Sequence, residues 1–306
     1  MDAWTPMRVS SVILSHMITP TLRKWPTAPV AALALAAAFI SSTSAANKPA
    51  APKSPRLYVF DCGTIHAMSV ETYGFKVGEV PMRDFIVPCY LVVHPKGTLM
   101  WDVGVVADGL LPADGSPYNQ GISTVRKGLK PQLAAIGYTP ADITYLSLSH
   151  YHSDHTANAN DFAGSTWLVR QAERDAMFAE KPARIIQQDS FKALKDSKTI
   201  ILKQDEYDVF GDGKVIIKSA PGHTPGHTVL YLKLKKSGPI LVAGDLYHFP
   251  EERTMNRFPT FEFDKTQSAA SRAMIDQFLK KTGAQLWIEH DLATFEKLKK
   301  APEFYE

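Results

Sequence analysis

The sequence predicts one α+β domain, and three observations lead there. Stretches with a strand pattern and stretches with a helix pattern mix along the chain without strict alternation. No internal repeat divides the 306 residues, and one long domain fits better than two. The composition, 45% hydrophobic and 21% charged, is that of an ordinary globular chain with enough length for a sizeable core.

The amino-terminal stretch stands apart. Arg23 and Lys24 precede an almost uncharged run from Ala28 to Ile40, and small residues follow from Ser41 to Ala46. A basic start, a short apolar run and a small-residue exit read as a secretory signal peptide over residues 1–46, with cleavage expected after Ala45 or Ala46. The run is short for a membrane span. An uncleaved anchor is the alternative, and Met17 would give a more usual signal length. The expected location is therefore periplasmic or secreted, with no stable membrane association after cleavage. Removing residues 1–46 takes away Arg8, Arg23, Lys24 and Asp2. That leaves 31 basic against 30 acidic side chains, a formal charge of about +1 in place of +3. Such a balance gives no nucleic-acid surface. In an exported chain Cys62 and Cys89 can pair; two buried free thiols are an equal alternative.

Residues 47–55, rich in Pro, Ala and Lys, read as a flexible linker, and 56–306 as the folded domain. Leu57–Phe60 is a first strand. Residues 63–84 have no period and read as a long loop whose Met68, Tyr73, Phe75 and Met82 line an apolar pocket or simply pack the loop down. Phe85–His94 and Thr98–Trp101 are strands joined by the turn at Pro95-Lys96-Gly97. An irregular stretch, 107–122, leads to a helix near Pro131–Ile136 that stops at Gly137. Ile143–Leu148 is a buried strand. A helix opens between Asp154 and Asp161, Thr166–Val169 is a strand, and Gln171–Ala179 a helix. Strands follow at Thr199–Leu202, Val215–Lys218, Thr228–Leu234 and Ile240–Ala243. A charged and aromatic loop, 247–263, precedes a helix from Lys265 to Lys281, a strand at Leu286–Ile288 and a last helix from Leu292.

The chemistry concentrates in Ser149-His150-Tyr151-His152-Ser153-Asp154-His155-Thr156. In an extended segment His150 and His152 point the same way and can share one ion. If the chain then turns into a helix, Asp154 and His155 return towards the same place. Imidazole and carboxylate suit zinc, and also iron, manganese or cobalt. Three further candidates each follow a strand: His223 in Ala220-Pro221-Gly222-His223-Thr224-Pro225-Gly226-His227, Asp245 in Ala243-Gly244-Asp245, and His290 in Trp287-Ile288-Glu289-His290. Alone, each is more often a capping or core residue; together they place ligands at the ends of four strands.

The His-x-His-x-Asp-His run with separate His, Asp and His resembles the metallo-β-lactamase superfamily from about Leu57 to the end. The resemblance implies an αββα four-layer sandwich with two divalent metal ions, zinc expected, at one edge. It implies that His150, His152 and His223 hold one ion, that Asp154, His155 and His290 hold the other, and that Asp245 bridges both. Asp102-Val103-Gly104 is similar to the family's Asp-Thr-Gly turn, with Asp102 behind a ligand imidazole or only forming the turn. His227 is expected to be structural, and His16, His66 and His94 have no role.

Within the superfamily the sequence is most similar to the N-acyl homoserine lactone lactonases, through the bridging Asp245, the Ala220–His227 run and Ile288-Glu289-His290-Asp291. These usually carry a tyrosine three residues beyond the bridging aspartate. Here that position is His248, and Tyr247 stands one residue earlier, so either is a candidate for contacting the substrate carbonyl. The implied reaction is ring opening of a small-molecule lactone by a metal-bridging hydroxide, with Asp154 carrying a proton to the leaving oxygen. Met68, Tyr73, Phe75, Phe249 and Phe258 are candidates for the acyl pocket. A homodimer is the assembly that the resemblance suggests. Three other readings stay open: a hydrolase of the same scaffold acting on another ester, a thioester or a phosphotriester; a one-iron oxidoreductase; and a metal-binding domain without catalysis.

Overall fold

The computed structural model describes residues 49–183 and 186–306. The signal-peptide expectation falls outside the described residues, and so does His16. Among the described residues no helix is long and apolar enough to cross a membrane.

In chain order the domain builds β1 (Arg56–Met68), β2 (Arg83–His94), β3 (Gly97–Trp101), β4 (Tyr118–Gln120) and β5 (Ser123–Val125). There follow α1 (Leu129–Ala135), β6 (Tyr145–Ser147), α2 (Ser153–Thr156), β7 (Thr166–Val169), α3 (Gln171–Met177), β8 (Thr199–Ile201) and β9 (Glu206–Asp208). The chain closes with β10 (Val215–Ser219), β11 (Thr228–Leu234), β12 (Gly238–Val242), α4 (Pro250–Met255), α5 (Lys265–Thr282), β13 (Gln285–Trp287) and α6 (Leu292–Lys297). The strands form an eight-stranded sheet, β4-β5-β1-β2-β3-β6-β7-β8, and a five-stranded sheet, β13-β12-β11-β10-β9.

The period of two along the strands explains the layers. In β2, Ile86, Tyr90 and Val92 point to one face, where they meet Leu230, Leu232 and Val242 of the second sheet. Phe85, Val87, Cys89 and Leu91 point to the other face, where Leu129 and Leu133 of α1 and Met177 of α3 cover them. On the outer face of the second sheet, Val229 and Leu241 pack under Ile275 and Leu279 of α5. The four layers are therefore helix, sheet, sheet, helix. Both faces of β2 are covered, which is why its sequence runs as an unbroken apolar series.

Several boundaries depart from expectation. The first strand does not stop at Phe60; it continues to Met68 across a bulge between Asp61 and Thr64. Gly63 makes this continuation possible. Its φ is +126°, and a Cβ there would stand 2.6 Å from Val105 Cγ1. The stretch 107–122 contains β4 at its end, and 247–263 contains α4. The expected linker is docked rather than free in its second half: Pro52 and Pro55 are buried, and the Ser54 hydroxyl donates to Glu306 at 2.7 Å.

Cys62 and Cys89 form a disulfide across β1 and β2, beside the bulge. It closes a loop with a sequence separation of 27, for which chain entropy gives about 3.5 kcal/mol of stabilisation. Replacing both cysteines by serine is expected to lower the denaturant-derived unfolding free energy by about that amount. A loss under about 1 kcal/mol would show that the unfolded chain gains little freedom from the cut.

Candidate metal centre

The carboxyl ends of strands from both sheets meet at one edge, the usual place for a site in an open sheet. Strand β6 leads into Ser149 and His150, and α2 turns Asp154 and His155 back beside them. His223 stands in the turn after β10, Asp245 in a single 3-10 turn after β12, and His290 after β13. Strands β12 and β13 are parallel neighbours, so both deliver their ligand at the same end.

The two carboxylate oxygens of Asp245 sort the histidines. Oδ2 lies 3.4 Å from His150 Nε2, 3.4 Å from His223 Nε2 and 3.1 Å from His248 Nε2. Oδ1 lies 3.1 Å from both His155 Nε2 and His290 Nε2. His152 Nδ1 is 3.0 Å from His223 Nε2 on the first side. Asp154 Oδ2 is 3.7 Å from His155 Nε2 and 3.5 Å from His290 Nε2 on the second. Two compact groups result: His150, His152, His223 and Asp245 in one, and Asp154, His155 and His290 in the other. Donor atoms sharing a tetrahedral ion at about 2.1 Å stand about 3.4 Å apart, so these separations would suit a pair of ions with Asp245 between them. Three buried atoms support the fit: among the described residues His150 Nε2, His155 Nε2 and Asp245 Oδ1 have no hydrogen-bond partner, and all three face the centre. Buried polar atoms are rarely left in that state without a ligand to satisfy them.

Behind the centre, the outer nitrogens are held. Asp102 takes His155 Nδ1 at 2.8 Å and also accepts the Ser149 N–H at 2.6 Å. The Asp102 backbone has a φ of +53°, an uncommon state for a side chain other than glycine. Its expected place behind a ligand is what the geometry gives. His150 Nδ1 lies 3.0 Å from the Ser149 hydroxyl, His223 Nδ1 3.3 Å from Glu262, and His290 Nδ1 2.9 Å from the Ile86 carbonyl. Such partners fix the tautomer and the ring angle of a ligand histidine.

His227 positions Asp245. Its Nδ1–H donates to the Ala220 carbonyl at 2.9 Å, and its Nε2 accepts the Asp245 N–H at 3.0 Å. Burial, with His223 adding to it, holds this imidazole neutral down to about 3. The approach is close: a Cβ on Gly244 would stand 2.6 Å from His227 Nε2, and Gly244 has a φ of +52°.

Glu173, fully buried on α3, staples two ligand-bearing segments. One oxygen accepts the Tyr151 N–H at 2.8 Å, the other accepts the Gly226 N–H at 2.8 Å, and the Thr224 hydroxyl donates to both. Burial pushes this carboxyl up to about 7, against the pull of those donors. The folded protein thus keeps a proton that the unfolded chain, near 4.5, has released. This group's contribution to stability falls as pH rises between those values. Metal-free wild type is expected to lose more melting temperature across that window than Glu173→Gln; parallel pH curves would sink the assignment.

A cavity of about 580 Å³ opens onto His152, Asp154, Asp245, His248 and His290. Met68 and Tyr73 line it, as expected, with Ile65 and Phe261. Phe249 lines an adjoining cavity of about 680 Å³ instead. Phe75 and Phe258 line neither. Phe75 packs against Phe249 at 5.5 Å, and Phe258 lies under the Arg272 guanidinium at 4.1 Å. Tyr247 is also displaced from its expected role: it is 1% exposed, packed with Ala220 and Leu246, with Arg272 4.5 Å over its ring. His248 is the one of the two that faces the cavity. His66 and His94 bond Asp84 and Asp212 away from the centre.

The sequence pattern of the Metallo-beta-lactamase superfamily matches residues 82–282. The chain belongs to that superfamily. Within it, the chain is 28% identical over 262 residues to the N-acyl homoserine lactonase AttM of Azorhizobium caulinodans, covering 82% of this chain and 98% of the relative. It is 23% identical over 234 residues to the N-acyl homoserine lactonase AiiA of Bacillus thuringiensis subsp. kurstaki, covering 71% and 85%. Among solved structures, an N-acyl homoserine lactone hydrolase with N-hexanoyl-L-homoserine at its metal centre superposes with a TM-score of 0.66 at 21% identity, over 81% of this chain and 98% of that one. The dizinc quorum-quenching lactonase AidC gives 0.60 at 20%, over 82% and 94%. At these identities the structural likeness speaks for the αββα fold.

Several contributors to the site were not legible from sequence. Glu173 reaches it from α3, Glu252 from α4 just after His248, and Glu262 from the loop before α5, and nothing in the local pattern marks them. Phe261 carried a signal, an aromatic in the charged stretch before α5, but not its direction.

Proposed function

We propose that this chain is a dinuclear metal-dependent hydrolase that opens the ring of N-acyl homoserine lactones, with zinc as the resident ion and the periplasm or the medium as its place of work. The observation that carries the reading is the division of the ligand set by the two oxygens of Asp245, at the floor of a cavity with apolar walls. The lactonase relatives, matched over nearly their full length, support the substrate class. The signal-like amino terminus and the Cys62–Cys89 pair support export, since such bonds persist in oxidising compartments.

When bound, two divalent cations would supply Lewis acidity, acidifying water and polarising a carbonyl oxygen. The protein does the rest. His150, His152, His223, Asp154, His155, His290 and Asp245 would hold the ions and so fix where that acidity acts. Asp154 reaches both His290 and the cavity, so its carboxylate can carry a proton to the departing ring oxygen. Ile65, Met68 and Phe261 offer an apolar wall to an acyl chain.

His248, where the related lactonases usually carry tyrosine, favours a second reading: the same centre acting on another ester, a thioester or a phosphotriester. Initial rates of the zinc-loaded protein on a panel of acyl homoserine lactones, a thioester, a phosphotriester and a β-lactam separate the two. The lactones should turn over fastest. Higher kcat/KM on any other class would reject the lactone assignment.

A further inference from the structure

Resting on the reading of this centre as a metal site, we propose that His248 is a further metal ligand, bound through Nε2 on the Oδ2 side of Asp245. Its Nε2 stands 3.1 Å from that oxygen, from which His150 Nε2 and His223 Nε2 each stand 3.4 Å. The Nε2–oxygen separation is that of two donors on one ion, while His150, His152, His223 and Asp245 form the group whose donor atoms all lie within 4.8 Å of one another, so His248 would join that group as an outer, added ligand.

The back of the ring is built as a ligand's is. Nδ1 lies 3.2 Å from Glu252 Oε1, and Glu252, fully buried, is held at its other oxygen by Arg272 at 2.8 Å. Asp102 does the same for His155, and Glu262 for His223. An imidazole that donates its Nδ1 proton to a carboxylate turns an unprotonated Nε2 inwards. The ring has little freedom to leave: Tyr73 packs on it at 4.7 Å, and it stacks parallel to His290 at 5.7 Å. The Oδ2 side then has four histidines and Asp245, against two histidines, Asp154 and Asp245 on the Oδ1 side. The nitrogen-rich side suits zinc or cobalt, while the carboxylate-rich side tolerates harder ions. The competing geometry is an Nε2–H that merely donates to Asp245.

Cobalt(II) titration of the metal-free full-length protein decides between them, read by visible absorption and by chelator competition. His248→Phe keeps a flat ring among aromatic neighbours. It should weaken one of the two ions about tenfold or more, leave the other unchanged, and intensify the absorption band as the coordination number drops. Glu252→Gln still accepts the Nδ1 proton, so it should move both readings the same way by less. Wild-type affinity and an unchanged spectrum in His248→Phe would overturn the proposal. If that variant does not fold, wild-type affinity in Glu252→Gln would overturn it. Failure of the wild type to bind two ions would remove the metal reading and this proposal together. Lactone turnover is not used, so an error in the substrate class leaves the result intact.

Discussion

Asp245→Asn is expected to empty both halves of the centre at once. Asp245 offers one oxygen to His150, His223 and His248 and the other to His155 and His290. An amide has one weaker acceptor oxygen, and its nitrogen would face imidazole nitrogens meant for an ion. Loss of an outer partner of a ligand costs about 10- to 100-fold in metal affinity, so loss of the shared ligand should exceed about 100-fold at each site. The protein as purified should then carry little metal and hydrolyse little lactone. Thermal unfolding gives a second reading. Removing an ion from a protein held at about 1,000 times its dissociation constant costs about 4 kcal/mol of stability. Wild type should therefore melt lower in chelator, and the Asp245→Asn variant should not respond. Full metal content with full turnover in the variant would defeat the bridging role.

Arg272→Met should be the most damaging change outside the ligands. Arg272 is 5% exposed and donates to the Leu246 carbonyl at 2.9 Å, to the Arg257 carbonyl and to Glu252. Methionine fills much of the same space between Tyr247 and Phe258, so packing is largely kept. What is lost is the cation beside a fully buried carboxylate. Removing one partner of a buried pair costs about 3–5 kcal/mol, and for a domain of this size that is about 10 °C in melting temperature. The Glu252→Gln/Arg272→Met double variant should lose less than Arg272→Met alone, because no unpaired charge remains. If the double variant is the less stable, the cost lies in packing rather than in charge.

Strands β7 and β11 begin and end where the hydrophobic pattern places them, since both are bounded by clear breaks in apolar residues. Strands β4, β5 and β9, each three residues long and largely polar, have no pattern to read. Helix α4 did carry a start signal, Pro250 followed by Glu251 and Glu252, and a stop at Asn256 in the left-handed state. It was obscured by the aromatic residues on either side. The first strand is shorter in the sequence pattern because residues 63–84 carry no period, whereas Gly63 serves a bulge through which the strand continues.

The candidate ligands were legible for a different reason. His150 to His155 declare themselves by spacing, and the others by following strands. The residues that set ring tautomers have no such grammar. Glu252 lies four positions from His248 and is indistinguishable in sequence from a solvated helix glutamate. Tyr247 and His248 are adjacent, and only the direction of the chain after β12 decides that the imidazole faces the cavity while the phenol faces the core.

The last residues of the chain are paired with the first strand. Leu57 and Tyr305 exchange backbone hydrogen bonds at 2.8 and 2.9 Å, Ala301 donates to the Val59 carbonyl, and Lys236 and Ser237 donate to the Glu306 carbonyl. Strand β1 is central to the larger sheet, so its partners come from both ends of the sequence. Contacts of such long range form slowly and late. A nascent chain therefore cannot make these pairings with β1 until residues 301–306 have left the ribosome, and His290 is made only shortly before them. Metal capture is then expected to wait until His290 and the residues that follow it have been made. A chain crossing a membrane unfolded would meet its ions on the far side.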